Sequence, residues 1–168
     1  MQIRRVAHAT EADLEALADL LVDCVEGGAS VSFMLPMTRA KALGFWRKVA
    51  DSAAREERVL LVAEDGGRLV GTVQVIFDLP ENQPHRGDVA KMLVLRSQRR
   101  KGIGEALMRA AERAAAERRK SLLVLDTASA DAERLYERCG WQRVGTIPNY
   151  ALLPDGRLCD TVYFYKAL

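Results

Sequence analysis

Histidine and cysteine are scarce in this 168-residue chain: two histidines, His8 and His85, and three cysteines, Cys24, Cys139 and Cys159, with no CxxC pair. So sparse a set builds neither a disulfide framework nor a Cys/His zinc site, and each cysteine is read as a small buried hydrophobe. No metal is expected. Long apolar runs are missing as well. Nothing approaches the roughly 18 residues of a bilayer-crossing helix, and the N-terminal MQIRRVAH carries charge where a secretory signal would hold its apolar centre. A cytoplasmic protein without a membrane partner is expected. Nor is there an excess of charge of one sign: 25 Lys and Arg against 23 Asp and Glu leave a net charge of +2, which argues against a nucleic-acid partner. Internal repeats, low-complexity tracts and linkers are absent, and 49% apolar with 29% charged residues suits one folded domain over residues 1–168.

Hydrophobic period orders what is there. Residues 2–7 alternate like a strand; Thr10 with Asp13 marks a helix start, and that helix should run to about Glu26, where Gly27 and Gly28 stop it. The apolar ASVSFMLP is too short for a helix and is read as a loop lining a pocket. A second helix is expected over Thr38–Ala54, with Leu43, Trp46, Val49 and Ala50 on one face. The period then drops to two. RVLLVAE, the turn at 65–67 and RLVGTVQVIF read as an antiparallel hairpin, and DVAKMLVL as a third strand after the proline-containing connection 80–87. Glu105–Arg119 has helical spacing, LLVLD (122–126) is apolar enough for a central strand, a short helix over Asp131–Cys139 ends at Gly140, and WQRVGTI and TVYFYKAL supply the last strands. The order β-α-α-β-β-β-α-β-α-β-β predicts an α/β domain with a mixed sheet and about four helices.

The densest local charge is RRKGIGEAL (99–107), three cations before two glycines and a helix. The first turn of a helix exposes unpaired N–H groups and a partial positive charge, so it holds anions without a dedicated side chain. Gly102 and Gly104 let a phosphate approach, and Arg99, Arg100 and Lys101 attract it. A P-loop would need Gly-Lys-Ser/Thr where this chain has Gly104-Glu105-Ala106, and a dinucleotide fingerprint would want Gly or Ala where Leu107 stands. Both fail. A tight turn with a solvated basic rim is the plainer alternative.

Arg99-x-x-Gly102-x-Gly104 after DVAKMLVL, together with ADAERLYERCGW (130–141), resembles the GCN5-related N-acetyltransferases (GNAT). GGASVSFM, LDTASA and PDGRL are further similar to the tabtoxin-resistance branch. The resemblance implies acetyl-CoA as acetyl donor and a mixed, mostly antiparallel sheet with a V-shaped splay between strands 88–95 and 122–126. In it Met92, Leu93 and Val94 would bond the pantetheine arm, Arg99 to Gly104, Ile103 included, would hold the diphosphate, and Ser129 would stand where relatives carry an asparagine. The acceptor implied is the amine of a small amino-acid-like molecule, a toxin or antibiotic, acetylated directly in a ternary complex. A protein or peptide acceptor, and a regulatory module that binds acetyl-CoA without transferring it, are the alternatives. Homodimers, common in the family, would pair through the terminal strand.

Transfer to an amine needs a base, a donor to the carbonyl oxygen and an acid for the leaving thiolate. Asp88, at the start of the cofactor strand, and Asp126, at the carboxyl end of its neighbour, are the candidate bases and substrate anchors. Either could instead serve the strand it sits on. The N–H near Leu93 would polarise the thioester. Tyr136 matches the family's proton donor, with packing on the sheet as the alternative. Ser32, Phe33 and Met34 from the apolar loop and Tyr150 from the loop PNYALLPDGR (148–157) are the remaining candidates for the acceptor pocket, while His85 is read as a solvent-facing loop residue and His8 as packing near the first strand.

Overall fold

The computed structural model describes residues 1–168. Seven strands form one sheet in the order β1-β2-β3-β4-β5-β7-β6, where β1 is Gln2–Arg5, β2 Arg58–Asp65, β3 Arg68–Ile76, β4 Arg86–Val94, β5 Leu122–Thr127, β6 Gln142–Leu152 and β7 Leu158–Ala167. All neighbours are antiparallel except β4 and β5. Four helices complete the chain: α1 Glu11–Glu26, α2 Arg39–Ala54, α3 Ile103–Glu117 and α4 Ala130–Arg138. The expected element order is the observed one.

Local chemistry explains the helix boundaries. Thr10 and Asp13 form a reciprocal capping box on α1, and Thr38 caps α2 by accepting from Lys41 N at 3.2 Å. The apolar stripes then face inward. Leu14, Leu17, Leu21 and Cys24 of α1 and Ala42, Trp46, Val49 and Ala53 of α2 are buried, as are Ile103, Leu107, Met108 and Ala111 of α3. Alternate side chains of β3 meet different helices: Gly71 faces α3, while Gln74 bonds Arg58, which bonds Ser52 of α2. Helices therefore cover both faces of the sheet. A Cβ on Gly71 would come within 3.0 Å of Leu107 and 3.2 Å of Ile103, so its absence lets the start of α3 sit down onto β3 and fixes where that helix begins.

Four expectations need correction. The last connection is shorter than PNYALLPDGR implied: β6 runs on to Leu152 and carries Tyr150, because an edge strand tolerates Pro148 and a register shift between Ile147 and Ala151. The terminal strand β7 is internal, bonded to both β5 and β6, so the free edge belongs to β6. Strand β4 starts at Arg86, which puts Asp88 inside it. His8 is exposed and does not pack beside β1.

Candidate active site

Strands β4 and β5 pair over only three positions, Arg86↔Leu122, Gly87↔Leu123 and Asp88↔Val124, and then part. Beyond that point a cavity of about 1000 Å³ opens between Val89–Val94 on one wall and Leu125–Ser129 on the other. Backbone groups of Met92 to Val94 on the β5 side thus have no strand partner, which is the donor–acceptor pattern an extended amide chain can complete. Val94 C=O is approached by Arg99 Nε at 3.4 Å and Cys24 Sγ at 3.6 Å.

The start of α3 closes one end of this cavity and differs from the other helix starts. Thr10, Thr38 and Ser129 cap α1, α2 and α4 with side-chain oxygens, whereas the N-cap of α3 is Gly102, at φ +79°, with no side-chain bond. The first intrahelical bond runs from Ala106 N to Gly102 O at 3.1 Å, which leaves the N–H groups of Ile103, Gly104 and Glu105 pointing out of the helix end. Arg99 and Arg100 line the cavity and form no ion pair, while Lys101 lies outside it and donates to Gln98 Oε1 at 2.7 Å. A Cβ on Gly104 would meet Cδ2 of Leu135 at 2.9 Å and Sδ of Met92 at 3.8 Å, so this glycine holds open the slot between α3, α4 and β4. An uncapped helix start flanked by guanidinium groups without carboxylate partners, leading into an open strand edge, fits a diphosphate followed by an amide-bearing arm, which is the shape of acetyl-CoA.

Of the candidate acid and base groups, Asp126 and Tyr136 reach the cavity and Asp88 does not. Asp126 Oδ2 accepts from Thr161 Oγ1 at 2.7 Å, and the carboxylate faces solvent. Asp88 lies on the same face of the sheet but at the closed end of the V. Its Oδ2 pairs with Arg86 at 3.3 Å and its Oδ1 is buried without a partner. Burial pushes the Asp88 carboxyl up, Arg86 opposes this, and the charge of Asp126 adds to it. Tyr136 is buried, with its ring against Phe164 (5.7 Å between centroids) and Trp141 (6.2 Å). Burial raises its pKa well above that of a free phenol, so the hydroxyl stays protonated. Ser129 is committed to capping α4, accepting from Ala132 N at 3.3 Å.

The far end of the cavity carries Ser32, Phe33 and Met34 from the α1–α2 loop and Tyr150 from β6. Two tethers hold this end together. Leu35 N donates to Pro154 O at 3.0 Å, joining the loop to the β6–β7 hairpin, and Ser30 Oγ lies 3.6 Å from Cys159 Sγ. Cys159 is therefore a half-buried part of the cavity wall and not the fully buried hydrophobe expected, whereas Cys24 and Cys139 are buried. Tyr150 is held by Tyr163, hydroxyl to hydroxyl at 3.0 Å, and this bond is the first cause raising the Tyr163 phenol to about 12.

Sequence reasoning passed over Lys91. Opposite Val73, β4 has two residues, Lys91 and Met92, where regular pairing would have one, and Lys91 takes φ +51° to make this bulge. The bulge turns the side chain into the cavity, where Nζ bonds Ser32 Oγ at 3.2 Å and lies 5.8 Å from the centre of the Phe45 ring. No carboxylate pairs with it. Burial pulls its ammonium below the usual lysine range, Asp126 opposes that shift, and Arg58 adds to it. A signal was present: in strict alternation Lys91 falls in phase with apolar Val89, Leu93 and Leu95, a conflict that a bulge resolves.

No group of three or more His, Cys, Asp and Glu side chains is placed to hold a metal, and no helix is long and apolar enough to cross a membrane. Solved structures share the whole architecture. The ribosomal-protein-alanine N-acetyltransferase from Brucella melitensis is 27% identical, with all of both chains covered and a TM-score of 0.82. A phosphinothricin acetyltransferase from Sinorhizobium meliloti, solved with acetyl-CoA, is 18% identical over 99% of this chain and 88% of its own, with a TM-score of 0.81. An N-acetyltransferase from Staphylococcus aureus Mu50 is 19% identical over 99% and 97%, again at 0.82. The profile of the acetyltransferase (GNAT) family matches residues 15–141, and with the splayed sheet and the uncapped helix start this makes the chain a member of that family, an acetyl-CoA-dependent acetyltransferase.

Proposed function

We propose that this enzyme acetylates the amine of a small amino-acid-like molecule by direct transfer in a ternary complex. The observation that carries the reading is the Leu35–Pro154 backbone bond: it ties the α1–α2 loop to the β6–β7 hairpin across the acceptor end, leaving a pocket where a long polypeptide would need an open groove. Acetyl-CoA supplies a thioester whose acyl carbon is open to attack by an amine. Residues 92–94 hold the pantetheine arm, and the start of α3 with Arg99 and Arg100 holds the diphosphate. Asp126 draws a proton from the acceptor ammonium, through water, and releases the neutral amine. Asp88 stands behind Asp126 at the closed end of the V, its own carboxyl pushed up by burial, with the charge of Asp126 adding to that. The N–H at Leu93 stabilises developing negative charge on the carbonyl oxygen, and Tyr136, protonated and partnerless, gives its proton to the departing sulfur.

A peptide acceptor is the second reading, favoured by the full-length likeness to the ribosomal-protein-alanine N-acetyltransferase. Following free thiol release with acetyl-CoA and a panel of small amines, amino acids and alanine-ended peptides decides between them. Turnover of small amino acids without peptides supports the pocket; turnover of peptides alone transfers the assignment to the second reading. A protein that binds acetyl-CoA and releases no thiol with any acceptor is a sensor, and both readings fail. We also propose that two copies pair along the β6 edge, which exposes Val144, Ile147 and Leu152 beside Leu158; light scattering that finds only monomer at micromolar concentration removes this.

A further inference from the structure

We infer that the acceptor is a zwitterion, an amino acid with a free carboxylate, and that Lys91 selects it by binding that carboxylate while Asp126 receives the ammonium. The inference rests on the small-amine reading and sharpens it from amines in general to those bearing an acid.

The argument starts from unpaired charge. Lys91 and Asp126 stand on opposite walls of the V and on the same face of the sheet, since Asp126 lies two residues beyond Val124 on β5 and Val124 is paired with Asp88. Neither belongs to an ion pair: they are farther apart than direct contact, yet the carboxylate still acts on the ammonium by charge. A partly buried lysine ordinarily has an acidic partner, because desolvating an ammonium alone is costly. Here the neighbours of Nζ are one hydroxyl, Ser32 Oγ, and the face of Phe45. An ammonium offers three donors, so two remain for a ligand. Across the gap, Asp126 has one oxygen engaged by Thr161 and the other free.

The cavity therefore presents one cation and one anion separated by a space, and its best complement is a molecule with the opposite pair. A polyamine or an aminoglycoside satisfies Asp126 and is repelled by Lys91; a peptide amide satisfies Asp126 and leaves Lys91 with nothing. The cost of both mismatches falls on the acceptor, which makes the pair a filter. The bulge adds rigidity. Lys91 is held at φ +51° by ladder pairs on either side, Ala90 with Gln74 and Leu93 with Thr72, so the direction in which its side chain leaves the backbone is set by the sheet, and Ser32 of the α1–α2 loop bonds its end.

The test compares each of the twenty standard L-amino acids with its own carboxamide, measuring kcat/KM by thiol release with wild-type protein, Lys91→Met and Lys91→Arg. Wild type should prefer the acid over its amide by about 10- to 100-fold, the worth of one charge-assisted hydrogen bond. Lys91→Met should collapse that ratio toward one, mainly through KM of the acid, and Lys91→Arg should restore part of it, since arginine keeps the charge but cannot act as a base. Each ratio is taken on one protein sample, so partial misfolding cancels. Amides turned over as well as acids by wild type, or a preference that survives Lys91→Met, overturns the inference and leaves the small-amine reading standing. Turnover of neither class overturns both.

Discussion

Replacing Gly104 with alanine separates two jobs performed by one bare stretch of backbone. The new methyl would lie 2.9 Å from Cδ2 of Leu135, against the 3.5–4.0 Å or so at which carbon atoms rest. Leu135 must swing by about 1 Å, and because the struck atom is the end of a flexible side chain this costs about 1 kcal/mol, the worth of roughly one buried methylene. Alanine is preferred to glycine within a helix by up to about 1 kcal/mol. The two effects offset, and the melting temperature of the free protein should move by no more than a few degrees. Cofactor affinity should not be spared. The same methyl projects into the slot beside Met92 Sδ and displaces whatever approaches the free N–H groups of residues 103–105. Losing one charge-assisted bond to a phosphate oxygen, at about 1.5–3 kcal/mol, weakens coenzyme A binding about 10- to 100-fold. Isothermal titration with coenzyme A and thermal melts on the same samples read both quantities. Unchanged affinity beside an unchanged melting temperature would refute the assignment of the diphosphate to this helix start.

Other perturbations follow from the same geometry. Tyr136→Phe keeps the ring against Phe164 and Trp141 and should leave the melting temperature near wild type at pH 7 while lowering kcat about 100-fold; an unaltered kcat makes the residue a packing element only. At high pH that variant should be the more stable protein, for the Tyr136 pKa is raised on folding from its ordinary 10.0. Stability owed to the neutral phenol is complete below pH 10 and drains away as the pH climbs beyond it, a slope that urea titrations at pH 8 to 11 should find shallower in Tyr136→Phe. Arg100→Gln removes an exposed cation that has no protein partner and should weaken coenzyme A binding a few-fold at low salt and less at about 0.5 M, where screening already masks the charge; a salt-independent loss would contradict a rim role. At acid pH the sign reverses for Asp13. Burial pushes its carboxyl up, but bonds from Thr10 and Arg4 outweigh that and hold it below 3.8. Its contribution is present above that value and lost as the pH falls through the lower folded one, so Asp13→Asn should cost about 1–2 kcal/mol at pH 7 and flatten the acid limb of the stability curve.

Period and punctuation in the sequence carried most of the fold. Thr10 and Asp13 announced α1, Gly27 and Gly28 its end, and the drop to a two-residue period at Arg58 announced the sheet. The uncapped, cation-flanked start of α3 was equally legible, because glycine beside cations before a helix is a local pattern with a local cause. What escaped was long-range. Asp88 and Asp126 look alike in sequence, and only the strand register, which pairs Asp88 with Val124 and then lets the strands diverge, separates a carboxylate at the closed end of the V from one at its mouth. Lys91 was hidden by a single extra residue in β4, which moves its side chain to the other face. The extent of β6 was hidden at Pro148, where the expected strand WQRVGTI gives way to the loop PNYALLPDGR, although at the edge of a sheet a proline has no ladder N–H to lose.

The gap between β4 and β5 has a consequence for handling the protein. Its inner backbone rim is as ready to accept a stray peptide or a neighbouring molecule's strand as it is to accept pantetheine, and unprotected rims of this kind seed aggregation. Coenzyme A in the purification buffer should therefore act as a stopper, and preparations stripped of it should cloud sooner on warming.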